Sequence, residues 1–282
     1  MNYYSSQLLR MNLVNLLKPI IELSVRAGES ILKIYDTEFK IDEKKDLTPL
    51  TEADLQSHNI IVSGLKSITP DIPIISEEEK LENFSSRKSR KHYWLIDPLD
   101  GTREFVNKNG EFTVNIALIE NNIPILGIVH VPVKSETYIG CKNFGAKKIN
   151  AMKEMKNIAI NKKLNTPLKI VGSRSHRGDS LTKFLNFIGE HEFLSVGSSL
   201  KFCMIAEGKA DLYPRFGPTS EWDTAAAQAV VEQAGGIVVN RNLDRLLYNK
   251  KECILNSHFY VVGSNLITKM ISDYENSISE KI

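Results

Sequence analysis

The residues best suited to chemistry in this sequence are two aspartates three positions apart, Asp97 and Asp100, in the stretch WLIDPLDGTREF. Its apolar start predicts a buried strand, which Pro98 is expected to end just after Asp97 because proline cannot donate to a sheet ladder. Gly101 then permits the tight turn by which the chain leaves. Both carboxylates should therefore lie at the mouth of a strand, with the Leu99 carbonyl between them.

The close spacing of these aspartates predicts a cation site, because neighbouring carboxylates repel each other unless a proton or a cation lies between them. Oxygen ligands from carboxylates and a backbone carbonyl suit Mg²⁺. The alternative is a strand end followed by a solvated Asx turn, which many Asp-Pro pairs form. This stretch alone leaves both interpretations open.

Two further carboxylates occupy comparable places. Glu77 comes directly after a short apolar strand predicted for residues 72–76, the same kind of position that Asp97 has. It opens a run of three glutamates, and such a run is usually a solvated turn. Asp54 lies in the first turn of a helix that Thr51 can cap. Acidic residues are common there because they oppose the helix dipole, so Asp54 alone indicates little.

The hydrophobic pattern predicts the elements that must position these residues. Apolar residues recur at three- and four-residue steps from Leu13 to Ile34, which predicts an amphipathic helix in which Pro19 makes a kink or marks the first turn. Residues 111–119 and 125–133 are predicted to form a hairpin. Strands, turns and polar loops in this order indicate a largely antiparallel sheet covered by helices.

A domain boundary is predicted where Pro167 precedes a new strand at residues 168–172. We expect residues 1–165 to form an N-terminal α+β subdomain that carries most of the candidate metal ligands. Residues 166–282 would form a C-terminal α/β subdomain.

The composition is that of a soluble globular protein. The chain has 282 residues, of which 42% are hydrophobic and 25% charged, and a net charge of +2. A nucleic-acid surface normally needs a stronger basic bias. The three cysteines form no CxxC pair, no apolar run reaches membrane-spanning length, and the start lacks the layout of a signal peptide. We therefore expect a cytoplasmic protein, and a peripheral position at the inner face of the membrane stays open.

Four motifs together resemble the Mg²⁺-dependent, lithium-sensitive phosphatase superfamily of inositol monophosphatase. They are TEAD ending at Asp54, Glu77 after its apolar strand, DPLDGTREF, and EWDTAAAQAVVEQAGG. The match runs from the first helix to the last strand. It implies an α/β (α+β) fold, the layered α/β/α/β/α sandwich of the sugar-phosphatase-like proteins. Ala227, where relatives often have glycine, is a departure that does not touch the chemistry.

Within this superfamily, the segment GSSLKFCMIAEGKADLYPRFGPTSEWD resembles the 3′(2′),5′-bisphosphate nucleotidases. This implies hydrolysis of the 3′-phosphate of adenosine 3′,5′-bisphosphate to AMP and phosphate, which in the family removes a by-product of sulfate activation. One alternative is an inositol monophosphatase or another sugar-phosphate phosphatase, whose substrates lack a base. The second alternative is a catalytically inactive nucleotide-binding sensor.

The resemblance implies a role for each matching residue. The cofactor would be Mg²⁺, with two or three ions per active site, one lowering the pKa of the attacking water and another stabilising the leaving oxygen. The implied metal ligands are Glu77, Asp97, the Leu99 carbonyl, Asp100 and Asp223. The implied catalytic residues are Asp54 and Thr102, which would orient and deprotonate that water, together with Glu77. The implied substrate-binding residues are Gly101, Thr102, His176, Ser198, Lys201, Arg215 and Asp223.

A substrate with two phosphates would account for the basic residues in the second half. One phosphate must lie at the metal ions and the other must be neutralised elsewhere, where Arg offers bidentate donors and Lys a compact charge. Without the resemblance, Lys201 and Arg215 would be interpreted as surface charges and His176 as a loop residue. The expected partner is a small nucleotide, with no nucleic acid and no integral membrane segment.

Overall fold

The computed structural model describes residues 13–38, 41–43, 49–173 and 178–279, and within these ranges helices alternate with two large β-sheets and one two-stranded ribbon. The helices described are α1 (Leu13–Tyr35), α2 (Glu52–Ile68), α3 (Phe84–Arg87), α4 (Thr102–Val106), α5 (Asp179–Ile188), α6 (Leu200–Ala206), α7 (Glu221–Gln233) and α8 (Thr268–Ser279). Short 3₁₀ turns lie at Pro132–Lys134 and Asn265–Ile267.

The strands within the same ranges are β1 (Ile41–Glu43), β2 (Pro49–Thr51), β3 (Ile74–Ser76), β4 (His92–Asp100), β5 (Thr113–Glu120), β6 (Ile123–Val131), β7 (Glu136–Cys141), β8 (Gly145–Ile149), β9 (Met155–Asn157), β10 (Leu168–Gly172), β11 (His191–Ser195), β12 (Leu212–Arg215), β13 (Ile237–Asn240) and β14 (Phe259–Val262). Strands β1 and β2 pair with each other as a small antiparallel ribbon.

A seven-stranded sheet has the order β3-β4-β5-β6-β7-β8-β9. Only the β3–β4 pair is parallel, which confirms the predicted, largely antiparallel sheet. Asn121 and Asn122 join β5 to β6 with φ angles of 50° and 68°, the left-handed conformation that a tight hairpin turn requires. Sequence reasoning missed β8 and β9, because the charged stretch that contains them, with Lys147, Lys148 and Lys156, looks like a polar loop.

A five-stranded mixed sheet follows, with the order β11-β10-β12-β14-β13. Strand β10 is parallel to both of its neighbours, whereas β14 is antiparallel to β12 and β13. The change of sheet falls between Asn157 and Leu168, which includes the boundary placed after residue 165. The division into two subdomains stays a prediction.

The buried side chains form three clusters that define the layers. Helices α1 and α2 pack on one face of the seven-stranded sheet through residues such as Ile20 and Ile61. Helices α6 and α7 lie between the two sheets. Helices α5 and α8 cover the outer face of the five-stranded sheet through residues such as Phe184 and Ile271. This order confirms the predicted α/β/α/β/α sandwich.

Helix α1 includes Pro19 in its interior. The alternative that Pro19 marks the first turn is therefore wrong, since the helix already begins at Leu13. Proline costs one backbone hydrogen bond at such a position. Burial of the apolar face of α1 against the sheet stabilises the helix despite this loss.

Helix α7 contacts the seven-stranded sheet at two glycines. A Cβ atom on Gly127 of β6 would lie 2.1 Å from the backbone oxygen of Ala226, and one on Gly140 of β7 would lie 2.4 Å from the backbone of Ala229. The run of alanines in α7 and the two glycines together allow this close approach. The packing holds the start of α7, which carries Asp223, at the edge of the sheet.

Candidate active site

Strand β4 carries Asp97 and Asp100, and it does not end after Asp97 as predicted. It continues through Pro98 to Asp100, with Asp97 paired to Asn115 and Asp100 paired to Thr113. Between these two pairs β4 has one residue more than β5, which makes a β-bulge. Pro98 lies in the bulge, where its missing N–H breaks no hydrogen bond between the strands. The bulge lets the strand continue and still brings Asp100 to its last position.

Glu77 lies beside Asp97 because β3 and β4 are parallel neighbours. Ser76 pairs with Ile96, and the N–H of Glu77 donates to the Ile96 carbonyl at 3.2 Å. The two carboxylates therefore follow adjacent strand positions at the same edge of the sheet. The sequence predicted only that both residues occupy the same kind of position, and the pairing of β3 with β4 shows that they are neighbours.

Asp223 reaches the same place from α7. Its Oδ2 accepts the Ser220 N–H at 3.0 Å in a capping box at the start of the helix. Each of Glu77, Asp97 and Asp223 offers a carboxylate oxygen, and these oxygens lie within 4.8 Å of one another. Burial raises the pKa of Asp223 well above its usual range, and the charges of Asp100 and Glu77 raise it further. Three carboxylates at this spacing fit a divalent cation.

A cleft joins these carboxylates to the other implied ligands. It is lined by Glu77, Asp97, Leu99, Asp100, Gly101, Thr102, Arg103, Glu104 and Asp223. Asp100 does not belong to the group of three within 4.8 Å. Its Oδ2 instead accepts hydrogen bonds from the Ser198 hydroxyl at 2.7 Å and from the Ser199 N–H at 2.7 Å. We call this space the acidic cleft.

Asp54 and Thr102 meet at the edge of the acidic cleft. Asp54 is buried, and its Oδ1 accepts the Thr102 hydroxyl at 3.2 Å. Its Oδ2 accepts the Thr51 N–H at 2.8 Å, so that Thr51 and Asp54 form a capping box at the start of α2. A bond of 2.7 Å from the Ser57 hydroxyl to the Pro98 carbonyl ties α2 to the same stretch of β4.

A second cleft adjoins the acidic cleft, and the two share Asp100, Gly101, Arg103, Glu104 and Asp223 in their walls. Ser198, Lys201 and Arg215 line it. We call this space the basic cleft, after its cations. The two clefts together bring most of the predicted site residues to one opening between the sheets.

Lys201 is buried in the wall of the basic cleft, so its interpretation as a surface charge is wrong. Its Nζ donates to the Ser198 carbonyl at 2.6 Å and lies 5.4 Å from the centre of the Tyr213 ring. Burial lowers the pKa of Lys201 to about 8, although the nearby Asp100 carboxylate opposes this change. A buried ammonium with a neutral carbonyl partner can accept a bound anion at little further desolvation cost.

Arg215 of β12 is partly exposed and is held by its own loop. Its Nε donates to the Thr219 hydroxyl at 2.6 Å and its NH2 group to the Pro218 carbonyl at 2.7 Å. Both bonds restrict the guanidinium group at the rim of the basic cleft. His176, the remaining predicted substrate-binding residue, lies outside the described residues.

Several residues that line the clefts were missed by sequence reasoning. Arg103 and Glu104 directly follow the DGT motif, and Ser199 directly follows Ser198, so adjacency to a motif was the available signal. Phe202 and Tyr213 lie in the segment that resembles the nucleotidases, but only the fold shows that α6 and β12 bring their side chains to the same cleft. The missed residues are Arg103, Glu104, Ser173, Ser199, Phe202, Tyr213 and Thr219.

Comparison with known proteins places this site in a family. The inositol monophosphatase family matches residues 12–279. This chain belongs to the inositol monophosphatase family. No helix in the described part of this family member is long and apolar enough to cross a membrane.

Within the inositol monophosphatase family, the chain is similar to proteins named 3′(2′),5′-bisphosphate nucleotidase CysQ. It is 44% identical to the one from Salmonella typhimurium over 248 residues, which cover 87% of this chain and 99% of that protein. It is 43% identical to the one from Escherichia coli K12 over the same shares of the two chains.

Solved structures show the same fold. CysQ from Bacteroides thetaiotaomicron, a bacterial member of the family, superposes with a TM-score of 0.77 at 38% identity and covers 87% of this chain and 96% of that one. The IMPase of Thermotoga maritima has a TM-score of 0.74 at 24% identity over 95% of this chain and 99% of that one. The second likeness concerns the fold alone.

Proposed function

We propose that this chain is a 3′(2′),5′-bisphosphate nucleotidase that hydrolyses the 3′-phosphate of adenosine 3′,5′-bisphosphate to AMP and phosphate. The observation that carries the proposal is the junction of an acidic cleft with a basic cleft that holds the buried Lys201. One cleft suits a metal-bound phosphate and the other suits a second anionic group. The likeness to nucleotidases named CysQ supports the same assignment.

The acidic cleft would hold two or three Mg²⁺ ions. Glu77, Asp97 and the Leu99 carbonyl would bind one ion, and Asp97, Asp100 and Asp223 would bind a second. The spacing of Glu77, Asp97 and Asp223 supports this assignment, because carboxylates within 4.8 Å of one another repel unless a proton or a cation lies between them, and here Asp97 is buried and the other two are half-buried. When bound, Mg²⁺ supplies charge neutralisation and acidifies a bound water.

Asp54 and Thr102 would act on the attacking water. The Thr102 hydroxyl donates to Asp54 Oδ1, so its oxygen can accept a hydrogen bond from a water in the cleft and orient it. Asp54 would then take the proton that this water loses as it attacks phosphorus. The water attacks in line with the departing 3′-oxygen, and no covalent enzyme intermediate forms.

The basic cleft would hold the rest of the nucleotide. Lys201 and Arg215 would neutralise the second phosphate, and Ser198 would contact the nucleotide next to Lys201. The backbone N–H groups of Gly101 and Thr102 would donate to the phosphate at the metal ions. His176 and Asp223 complete the proposed substrate-binding set.

The biological setting belongs to the same proposal. We place the enzyme in the cytoplasm, with a small nucleotide and no nucleic acid as its partner. Removal of adenosine 3′,5′-bisphosphate would link it to sulfate assimilation. Inhibition by lithium is expected, because Li⁺ would compete for the oxygen ligands of the acidic cleft.

The decisive test is phosphate release with Mg²⁺, comparing adenosine 3′,5′-bisphosphate with inositol 1-phosphate, each with and without Li⁺. We expect a strong and lithium-sensitive preference for the nucleotide. A preference for inositol 1-phosphate would be consistent with the proposed metal site but would contradict binding of a second phosphate in the basic cleft. Nucleotide binding without release from either compound would favour the sensor.

The variant Lys201→Ala tests the basic cleft directly. Loss of a charged hydrogen-bond donor should raise KM for adenosine 3′,5′-bisphosphate roughly 10- to 100-fold and change turnover of inositol 1-phosphate only slightly. The matched control is Lys183→Ala, because Lys183 is exposed on α5 and does not line the clefts. Equal losses on both compounds in Lys201→Ala would contradict the assignment.

A further inference from the structure

The carboxylate of Asp100 is held through one of its two oxygens. Among the described residues, every hydrogen bond to this side chain ends on Oδ2. The Ser198 hydroxyl and the Ser199 N–H each donate to Oδ2 at 2.7 Å. The Ser199 hydroxyl at 2.9 Å, the Asn115 amide at 3.4 Å and the Thr113 hydroxyl at 3.5 Å lie within hydrogen-bond reach of the same oxygen. Oδ1 is therefore the oxygen left to coordinate a cation in the acidic cleft.

Ser199 and Asn115 form the buried centre of this arrangement. Both side chains are almost fully buried, with 1% and 0% of their surface exposed. The Asn115 amide donates to the Ser199 hydroxyl at 2.9 Å as well as to Asp100. Polar groups buried in this way cost free energy unless they are paired, and here the pairing converges on a candidate metal ligand.

Ser199 also contacts the helix that carries Asp223. Its hydroxyl lies 2.8 Å from the backbone carbonyl of Asp223 and 2.9 Å from Asp100 Oδ2. One side chain therefore lies against the last residue of β4 and the first turn of α7. These two elements come from opposite halves of the chain, and each supplies a carboxylate to the acidic cleft.

We propose that Ser199 and Asn115 are positioning residues for metal binding, an inference that rests on the proposed function. They keep Asp100 turned so that it offers Oδ1 alone, and Ser199 holds Asp223 at a set distance from Asp100. Metal ligands that are already fixed by hydrogen bonds in the metal-free protein lose less conformational entropy when the cation binds. Hydrogen-bond partners of metal ligands typically contribute 10- to 100-fold to metal affinity.

The test is calorimetric titration of Mg²⁺ into the full chain without nucleotide. We expect Ser199→Ala to raise the Mg²⁺ dissociation constant about 10-fold. At saturating Mg²⁺, kcat should recover to within about threefold of wild type, because the variant keeps every ligand and catalytic side chain. A defect in folding alone would lower the active fraction at all Mg²⁺ concentrations instead.

The matched control is Ser24→Ala in α1. Ser24 is equally buried, and its hydroxyl donates to the Ile21 carbonyl at 2.8 Å, far from the clefts. This variant should bind Mg²⁺ like wild type. If Ser199→Ala also binds Mg²⁺ within twofold of wild type, the inference is wrong.

The outcomes separate this inference from the proposed function. Wild type that binds Mg²⁺ and releases phosphate, beside a Ser199→Ala variant of unchanged affinity, would overturn the positioning role alone. Wild type that binds no Mg²⁺ would overturn both. If Ser199→Ala does not fold, Asn115→Ala removes the second donor and is measured in the same way, with the same expected and contrary results.

Discussion

The Thr102 hydroxyl donates to Asp54 Oδ1 at 3.2 Å and so joins two segments that lie 48 positions apart in the chain. Asp54 also accepts the Thr51 N–H through its other oxygen, as part of the cap of α2. The same carboxylate thus fixes the start of a helix and contacts a residue of the acidic cleft. Its orientation is determined from both sides.

Removal of the Thr102 hydroxyl should impair the chemical step. We expect Thr102→Ala to lower kcat about 10²- to 10⁴-fold with little change in KM, because the backbone N–H that can contact phosphate remains. Thr102→Ser keeps the hydroxyl and should retain most of the activity. Steady-state phosphate release measures both variants, and a Thr102→Ala enzyme within threefold of wild type would contradict the role.

Replacement of Asp97 should separate metal binding from folding. Asp97→Asn removes one of three carboxylates within 4.8 Å, and its amide oxygen can still accept the Leu99 N–H that Asp97 accepts at 3.0 Å. Without Mg²⁺, the variant should melt at the wild-type temperature or above it, because repulsion is relieved. The rise in Tm with Mg²⁺ should be lost and phosphate release should fall at least about 100-fold.

The control for this prediction is Asp71→Asn, since Asp71 is exposed in a turn. It should keep both the Mg²⁺-dependent rise in Tm and the activity. A rise in the Tm of Asp97→Asn with Mg²⁺ equal to that of wild type would exclude Asp97 as a ligand.

His130 should make stability depend on pH. Its ring is buried between Gly28 of α1 and the Thr137 hydroxyl, and burial lowers its pKa to about 4. The folded protein keeps His130 neutral while the unfolded chain protonates below about pH 6.5, so the stabilising contribution is complete above 6.5 and lost as pH falls towards 4. Between pH 7.5 and 5 the loss should be about 2 kcal/mol.

Urea denaturation of wild type and His130→Gln at both pH values measures this contribution. The free energy of unfolding of wild type minus that of the variant should fall by about 2 kcal/mol between pH 7.5 and 5. The other groups that titrate in this range are common to both proteins; burial lowers the pKa of His58 and His258 and raises the pKa of Glu221 to about 7. At pH 7.5 His130 is neutral in both states, so the difference in free energy of unfolding between wild type and His130→Gln at that pH measures the cost of altered packing alone. An identical pH dependence in both proteins would show that His130 does not contribute.

The contact between Gly127 and α7 should matter for both stability and metal binding. Gly127→Ala places a methyl group against the Ala226 carbonyl and must move the helix that carries Asp223. We expect the free energy of unfolding to fall by about 1–3 kcal/mol and Mg²⁺ affinity to weaken. Gly217→Ala places its methyl group no nearer than 3.6 Å to the Arg215 side chain and should change stability by less than about 0.5 kcal/mol. Equal stability of the two variants would contradict the close approach.

Much of the candidate site could be predicted from local signals. The apolar run before Glu77 indicated the end of β3, and Thr51 indicated the helix that carries Asp54. The predicted end after Asp97 was wrong, because β4 continues to Asp100. Each of these signals acts over a few residues, because strand termination and helix capping depend on the nearest backbone groups. The motifs added the family and the layer order of the fold, which the structure and the comparisons confirm.

Other features of the fold could not be predicted from local sequence patterns. The bulge at Pro98 depends on pairing with β5, and the short helix α3 and the last helix α8 were not predicted. Strands β8 and β9 have lysine-rich, partly exposed faces that resemble a loop. In each case neighbours distant in the chain decide the outcome.

The order of amino acids therefore determined which side chains could serve as ligands, acceptors and cations, since residue type and local backbone preference suffice for that. The distances between these side chains depend on how the helices and sheets pack in the tertiary structure. Ser199 contacts both Asp100 and Asp223 only because the two sheets enclose α6 and α7 between them. Lys201 is buried for the same reason. These two contacts of Ser199 join residues 99 and 24 positions apart, and no short-range pattern encodes them.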